Sequence, residues 1–346
     1  MEGTGCRVEG VLKIVAISLF LFTPYTLHPT PVLAEEVSSY AKAAAAYNER
    51  SLDAALRYAK DAVAEQPENV EAYALLGQLY YLRQDLPKAK ESWEKALRLA
   101  PGRADVRELL AKLERESGVE KNLSRTDTYP FVIRFADAQV PVEISSVREM
   151  LRDAYRRIGQ QLNYFPNHAI PVLLYPDADF QKVKSLSHPV SGLYDGKIRL
   201  PLKAGSLNGD QLQAILWHEY THALVHDLSR GRCPIWLNEG MAVSQESRVN
   251  TLDVGLVKKA MQEGQLPVWD HLWSQQQYDQ ASLVLYYQSS FLIVQYLVKR
   301  WSWSELTHLL ERLGQGTPMR DALRAQYHAD PAVLEKEWRV WLRRNL

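Results

Sequence analysis

The strongest constraint on this 346-residue chain is the pentapeptide His-Glu-Tyr-Thr-His at positions 218–222. It lies within 212–228, a proline-free segment with helical periodicity. On a helix, His218 and His222 project from one face about one turn apart, which suits two nitrogen ligands of one tetrahedral zinc ion. Glu219 is rotated by about 100° from His218, so its carboxylate would stand beside such an ion. There it could take a proton from a water whose pKa the metal lowers toward about 7.

Two residues are candidates for a third ligand. His226 lies four residues beyond His222, but over eight residues a helix rises about 12 Å and turns about 80° past its start. One ion cannot easily span that separation, so we expect His226 to be a surface or second-turn histidine. The better candidate is Glu239, within Trp-Leu-Asn-Glu-Gly-Met-Ala at 236–242. The break Ser-Arg-Gly-Arg-Cys-Pro at 229–234 is long enough to turn the chain and return a second helix antiparallel to the first.

The two segments together resemble the motifs of the gluzincin metallopeptidases, and Trp-Leu-Asn-Glu-Gly at 236–240 is most similar to the aminopeptidase N-like members. In that family the glutamate of the second motif is the third zinc ligand, which falls on Glu239. The resemblance implies one zinc ion per chain, held by His218, His222 and Glu239, with one coordination position left for water. It also implies that Glu219 activates this zinc-bound water for attack on a peptide carbonyl and then passes the proton to the leaving amine.

A tyrosine supplies the oxyanion donor in aminopeptidase N-like enzymes, downstream of the second motif. Its counterpart is expected within Leu-Tyr-Tyr-Gln-Ser-Ser at 285–290. The following Gln-Tyr-Leu at 295–297 is similar to peptidase MA-like sequences and favours Tyr287, with Ser290. Tyr286 is the alternative, and core packing of either tyrosine is the other interpretation, since aromatic residues on long helices are usually core.

The segment Gly-x-Met-Glu-Asn, by which aminopeptidase N-like enzymes read a free N-terminus, is absent. Gly-Leu-Tyr-Asp-Gly at 192–196 stands in its place. We therefore do not expect an aminopeptidase; endopeptidase activity or an undefined exopeptidase specificity fits better. The expected role of this strand is to pair its backbone with an extended peptide, which is sequence-tolerant recognition.

Residues 38–118 are rich in Ala, Leu, Lys, Arg and Glu at helical spacing, and they repeat with a period of 34 residues. The matches include Ala62-Val63 and Pro67 with Ala96-Leu97 and Pro101. This pattern resembles the tetratricopeptide repeat, a pair of antiparallel helices per unit. Two units would cover about 38–101, and 102–118 is interpreted as a solvating cap helix. The repeats could bind a protein partner; a helical array that only supports its neighbour is the alternative.

After Gly118 the pattern changes to two predicted strands, an intervening amphipathic helix, a third strand, and then helices almost to the end. The first two strands and the helix are expected at 131–135, 170–175 and 144–163. The predicted fold is therefore an array of all-α tetratricopeptide-type helical repeats followed by an α+β gluzincin-like domain. The predicted boundaries are 35–118 for the array, 119–128 for a linker and 129–346 for the peptidase domain. We expect the array to be separable from the rest.

Residues 1–34 have the layout of a secretory signal peptide. Arg7 and Lys13 precede an apolar run over 14–22, and Val-Leu-Ala at 32–34 offers small residues for cleavage after Ala34. The apolar run is too short to span roughly 30 Å of hydrocarbon as a helix, although an uncleaved anchor is the alternative. The expected protein is exported, periplasmic or secreted from a bacterium, with no stable membrane span after cleavage.

The charge balance excludes one class of partner. Lys plus Arg and Asp plus Glu both number 41, so the net charge is zero and the chain lacks the basic excess of a nucleic-acid-binding protein. The whole chain resembles bacterial exported proteins that pair tetratricopeptide repeats with a peptidase MA-like domain. The expected function is an exported zinc-dependent peptidase that hydrolyses a peptide or protein substrate. The alternatives are a non-catalytic adaptor that uses the peptidase fold as scaffold, and a zinc hydrolase acting on a non-peptide bond.

Overall fold

The structure is a computed structural model. It describes residues 37–49, 51–136, 144–183, 192–202, 209–249, 251–269 and 280–346. The predicted signal peptide over 1–34 lies outside the described residues. No helix in the described part of the chain combines the length and the apolar character that crossing a membrane requires.

The N-terminal part is an array of five helices. They are α1 (Ser39–Asn48), α2 (Leu52–Glu65), α3 (Val70–Leu82), α4 (Leu86–Leu99) and α5 (Ala104–Glu120). Asn69 and Asp85 begin α3 and α4 by accepting backbone N–H bonds, as N-cap residues do. Fully buried Ala89 and Trp93 of α4 pack on α3, where the Trp93 indole N–H donates to the carbonyl of Ala74 at 3.1 Å. The helical-repeat part of the predicted fold is therefore confirmed.

A five-stranded mixed sheet follows the array. Its strands are β1 (Ser124–Thr128), β2 (Phe131–Phe135), β3 (Ile170–Pro176), β4 (Leu193–Tyr194) and β5 (Ile198–Leu202), in the order β1-β2-β3-β5-β4. The central strands β2, β3 and β5 run parallel, and β1 and β4 pair antiparallel at the two ends. Strand β4 is therefore an edge strand among the described residues. It joins β5 through a tight turn in which Gly196 has a φ of 91°, a conformation that favours glycine.

The sheet has helices on both faces. One face, which includes Ile133, Val172 and Ile198, packs against α6 (Ile144–Leu162) and α8 (Gly209–Ser229). The opposite face, which includes Leu173 and Leu193, packs against α7 (Asp177–Val183) and the C-terminal end of α5. Alternate side chains of each strand point to opposite faces of the sheet, so each face has its own covering layer. Helix α5, the last helix of the array, therefore forms part of one layer of the α+β domain.

This layer differs from the sequence-based expectation for the region. We expected 102–118 to be a solvating cap helix and 119–128 to be a linker. Instead α5 continues to Glu120 and buries one side, including Val106 and Leu113, while β1 occupies 124–128 and pairs with β2. The physical reason is that the second face of the sheet has to be covered, and α5 lies close enough along the chain to cover it.

Six more helices are described after α8, and the first of them contains the second motif at 236–242. They are α9 (Ile235–Glu246), α10 (Gly255–Gln262), α11 (Gln280–Arg300), α12 (Trp303–Gly314), α13 (Met319–Tyr327) and α14 (Pro331–Asn345). Helix α9 packs between α8 and α11. A Cβ at Gly240 would lie 2.5 Å from the carbonyl oxygen of Ser290, so glycine allows α9 and α11 to approach closely. The α+β part of the predicted fold is confirmed.

Candidate metal centre

Helices α8 and α9 bring His218, His222 and Glu239 together; we call these three residues the metal triad. The Nε2 atoms of His218 and His222 lie 3.6 and 3.7 Å from Oε2 of Glu239. One potential ligand atom from each residue lies within 4.8 Å of the other two. All three side chains are buried, so the triad forms one enclosed cluster of potential ligands.

The atoms of the triad that face one another fit a metal ion. Both Nε2 atoms and both Glu239 oxygens are buried and have no hydrogen-bond partner among the described residues. Polar atoms left in that state are unfavourable, because they have lost their bonds to water. A divalent cation would satisfy them together, and two imidazole nitrogens with one carboxylate are a known ligand set of catalytic zinc sites.

Two further side chains of α9 orient the imidazole rings. Nδ1 of His218 lies 2.9 Å from Oε2 of Glu246, and Nδ1 of His222 lies 2.9 Å from Oδ1 of Asn238. These acceptors favour the tautomers that carry the proton on Nδ1 and leave Nε2 free to bind a metal. Residues in this position usually raise the basicity of ligating histidines and fix their rings.

The sequence interpretation missed these two orienting roles. Glu246 follows Glu239 by seven residues, which is about two helical turns on the same face, and it is a buried carboxylate in a mostly buried helix. That spacing could have indicated it. Asn238 belongs to the second motif, but its contact with His222 joins two helices and therefore depends on the details of how α8 and α9 pack.

Glu219 lies in contact with Gly192, the residue that precedes the edge strand. Its side chain is 1% exposed, and a Cβ built on Gly192, just before β4, would lie 2.5 Å from its Oε1. Burial raises the pKa of Glu219 to about 8; His218 opposes the shift and Glu239 adds to it. A carboxyl group with such a pKa can both accept and donate a proton near neutral pH.

The two histidines of the triad differ in their proton affinity. Burial lowers the pKa of His222 to about 4, so its imidazole is neutral at pH 7. Burial also acts against the charged form of His218, but the carboxylates of Glu239 and Glu246 outweigh it and raise the pKa well above the usual range. His218 would therefore have to release a proton to solvent when it binds a metal ion, as ligating histidines do.

The predicted oxyanion donor lies close to these charges. Tyr286 and Tyr287 are both buried on α11, with ring centroids 5.7 Å apart. Burial raises the pKa of Tyr287 well above its usual value, and the charges of Glu239 and Glu219 add to this shift. Ser290 lies at the contact of α11 with α9, against Gly240. The oxyanion role of Tyr287, with Tyr286 as the alternative, remains a prediction.

His226 does not join the metal triad. It lies on α8 beside the ring of Tyr194 at a centroid distance of 5.8 Å, and lines a cavity of about 20 Å³ with His168 and Asp227. Among the described residues, the triad is the group of histidine, cysteine and acidic side chains whose ligand atoms converge.

Fold and site thus define a protein with an array of helical repeats joined to an α+β domain that carries a His-Glu-x-x-His centre. Residues 46–113 match the family model of the tetratricopeptide repeat, and residues 207–344 match that of the Peptidase MA superfamily. The predicted resemblance is confirmed: tetratricopeptide repeats precede a domain of the Peptidase MA superfamily, which has a metallopeptidase-like fold and is typically metal-dependent. Comparisons with curated proteins and with solved structures gave no match.

Proposed function

We propose that this chain is an exported, zinc-dependent peptidase. The observation that carries the proposal is the buried metal triad, with the carboxyl group of Glu219 enclosed beside it. His218, His222 and Glu239 would hold the ion through the two Nε2 atoms and the carboxylate. When bound, zinc would supply Lewis acidity that makes a water molecule more acidic and a carbonyl carbon more electrophilic.

Glu219 is the proton carrier of the proposed reaction. Its carboxylate takes a proton from the attacking water, whose oxygen forms a bond to the carbonyl carbon of the peptide. The C–N bond then breaks, and Glu219 returns the proton to the leaving amine. The Tyr287 hydroxyl donates a hydrogen bond to the oxygen on which negative charge develops.

The edge strand supports the choice of an extended peptide as substrate. Strand β4 ends the sheet among the described residues and is preceded by Gly192, which contacts Glu219. A peptide that adds to this edge as a further strand is held by main-chain hydrogen bonds, which tolerate many sequences. The same edge would bring a backbone carbonyl close to Glu219, as an endopeptidase requires.

Purified protein spanning 35–346 tests the proposal when it is analysed for metal and incubated with a random peptide library. Glu219→Gln is the matched variant, because it changes the base and leaves the triad intact. We expect one zinc ion per chain in both proteins and a loss of turnover of about 10²–10⁴ in the variant. Metal binding without cleavage of any peptide would favour the adaptor or a non-peptide substrate instead.

Export and partner binding are further parts of the proposal. The apolar segment before Ala34 supports export, and N-terminal sequencing of the protein from its host would locate the mature start at Glu35. The repeats support the proposal that the array binds a partner protein. Affinity capture would identify a protein that binds the wild-type array and does not bind an array with a mutated surface. An intact Met1 in a cytosolic fraction would contradict the export part.

A further inference from the structure

A cluster of buried charges joins the array to the sheet. Glu116 and Glu120 on α5 meet Lys197 and Arg199 at the start of β5, and all four are fully buried. Arg199 lies 2.8 Å from Glu116 and 2.7 Å from Glu120, and Lys197 lies 2.9 Å from Glu116 and 3.5 Å from Glu120. We call these four residues the charge cluster.

Neighbouring polar groups complete the charge cluster. The hydroxyl of Tyr81, on α3, donates to Glu116 at 2.6 Å, and that of Tyr175, on β3, donates to Glu120 at 2.6 Å. Asp195 accepts from Arg199 at 3.1 Å and pairs with Lys112 of α5 at 2.7 Å. With this last pair included, three negative charges face three positive ones.

Stabilising the contact between α5 and the sheet does not by itself require buried charges. Two surfaces can be held together by apolar side chains, and a buried ion pair is often replaceable by hydrophobic residues without loss of stability. Ion pairs differ from apolar contacts in being directional, and buried polar groups can fix one relative arrangement of two elements. The charge cluster therefore specifies where the start of β5 lies relative to α5.

Only the short β4–β5 hairpin separates the start of β5 from Gly192, which lies against Glu219 of the candidate active site. Asp195, Gly196 and Lys197 form the turn between β4 and β5, and the amide of Asp195 donates to the carbonyl of Lys197 at 3.2 Å. Strand β4 leads from this turn back to Gly192, which contacts the carboxyl group of Glu219. The β4–β5 hairpin is thus held by the array at its turn and touches Glu219 at its other end.

We propose that Glu116 and Glu120 are positioning residues of the peptidase site: through Lys197 and Arg199 they hold the β4–β5 hairpin where an extended peptide can pair with β4 beside Glu219. That the bound molecule is a peptide rests on the proposed function. That α5 positions the hairpin rests on the contacts of the charge cluster. The array is then a component of the substrate-binding edge.

The test compares two variants of the full chain. Glu116→Gln/Lys197→Met removes one opposite pair and keeps the remaining charges balanced, so no buried charge is left without compensation. Leu79→Ala is the control, because Leu79 is a buried residue of the array core that lies outside the charge cluster. If the double variant does not fold, Tyr175→Phe, which removes the hydroxyl that donates to Glu120 of the charge cluster, serves as the milder variant.

Hydrogen exchange is the first measurement. We expect the amides of 193–199 to exchange at least about tenfold faster in the double variant, with α8 unchanged, because local opening reports the contacts of each element. Leu79→Ala should leave the hairpin amides as they are. Unchanged exchange at 193–199 in the double variant would overturn the proposal.

Peptide hydrolysis is the second measurement. For a peptide long enough to lie along β4, KM should rise about tenfold in the double variant, while kcat on a minimal substrate stays within about twofold. A parallel loss on both substrates, as expected of Leu79→Ala if it merely lowers stability, would show a structural role only. A wild-type chain that cleaves no peptide would contradict the proposed function, while hydrogen exchange would still decide whether the array holds the hairpin.

Discussion

At the scale of single residues, the candidate centre separates groups that would bind the metal from groups that orient or flank it. Glu239 shares the interior of the triad with both imidazole Nε2 atoms, whereas Glu246 reaches only the far nitrogen of His218. Helix α8 presents Glu219 to the edge strand and His226 to Tyr194, away from the triad. Substitutions at these positions should therefore have graded effects.

We expect Glu239→Gln to abolish stoichiometric zinc binding together with activity, because it removes a ligand. Glu246→Gln should weaken zinc affinity by about 10–100-fold, since it removes only the acceptor that orients His218. Competition with a chelator measures both affinities. His226→Ala is the control and should change neither; release of zinc by this variant while Glu239→Gln retains it would refute the ligand assignment.

Tyr287→Phe should lower kcat by about 10²–10³ with little change in KM, as expected when a donor to the developing oxyanion is removed. Tyr286→Phe is the matched variant, since the two rings are neighbours on the same helix and both are buried. Steady-state kinetics on one peptide substrate distinguishes them. If Tyr286→Phe shows the larger loss of kcat, the roles of the two tyrosines are exchanged.

Gly192→Ala should displace the carboxyl group of Glu219, because the added methyl carbon would lie 2.5 Å from Oε1. We expect kcat to fall about ten- to a hundredfold, the usual effect of misplacing a reacting group by about 1 Å. Zinc content should be unchanged. Gly209→Ala, where the nearest side-chain atom is 3.9 Å away, is a suitable control; equal activity of the two variants would count against the Glu219–Gly192 contact.

The metal triad could be predicted from sequence because its members lie within two short motifs whose helical spacing is informative. His218 and His222 are related by local helix geometry, which requires no knowledge of the fold. The contact of Gly192 with Glu219 joins the residue that precedes β4 to a helix, so it depends on tertiary packing that spacing along the chain does not encode. The sequence favoured Tyr287 but kept Tyr286 as the alternative, because the direction in which each of two adjacent tyrosines points also depends on tertiary packing.

At the scale of elements, α5 was the least predictable part of the fold. Its sequence contains many charged residues, and a helix with this composition is usually solvent-exposed. Glu116 and Glu120 are instead buried against Lys197 and Arg199, at the start of β5. Because these partners are distant in the chain, the burial could not be predicted from the sequence of α5. Helix α6, by contrast, has an apolar stripe and was predicted within one residue of its observed bounds.

The charge cluster should make stability depend on pH. Burial alone would raise the pKa of Glu120, but Lys197 and Arg199 outweigh it and lower the pKa to about 2. The ionised carboxylate therefore stabilises the fold above its ordinary pKa near 4.5, and this contribution is lost as the pH falls from there toward 2. Each such proton adds a slope of about 1.4 kcal/mol per pH unit to the free energy of unfolding.

We expect Glu120→Gln to reduce this slope between about pH 4.5 and pH 2, because the titrating group has been removed. Urea unfolding at several pH values in this range provides the measurement. Glu108→Gln, at an exposed position on the same helix, is the matched control and should keep the wild-type slope. An unchanged slope in Glu120→Gln would show that other carboxylates dominate acid unfolding.

At the scale of the whole molecule, the array and the α+β domain should unfold together. The sequence indicated a separable array with a cleavable linker over 119–128, but β1 and the end of α5 occupy these residues. Limited proteolysis followed by mass spectrometry should therefore release no stable fragment that ends near 118–123, because paired strands and buried helices resist cleavage. A long-lived array fragment with this end would support the original boundary.

Fusion through α5 also has an evolutionary consequence. Repeats stack on their nearest neighbours only, so units can be duplicated or deleted where no other contact is disturbed. An insertion between α4 and α5 would separate Tyr81 from Glu116 and misalign the β4–β5 hairpin. The addition of repeats before α1 leaves these contacts intact. Descendants of this gene can therefore vary in repeat number at the N-terminal end of the array, while the α5 junction stays fixed in length.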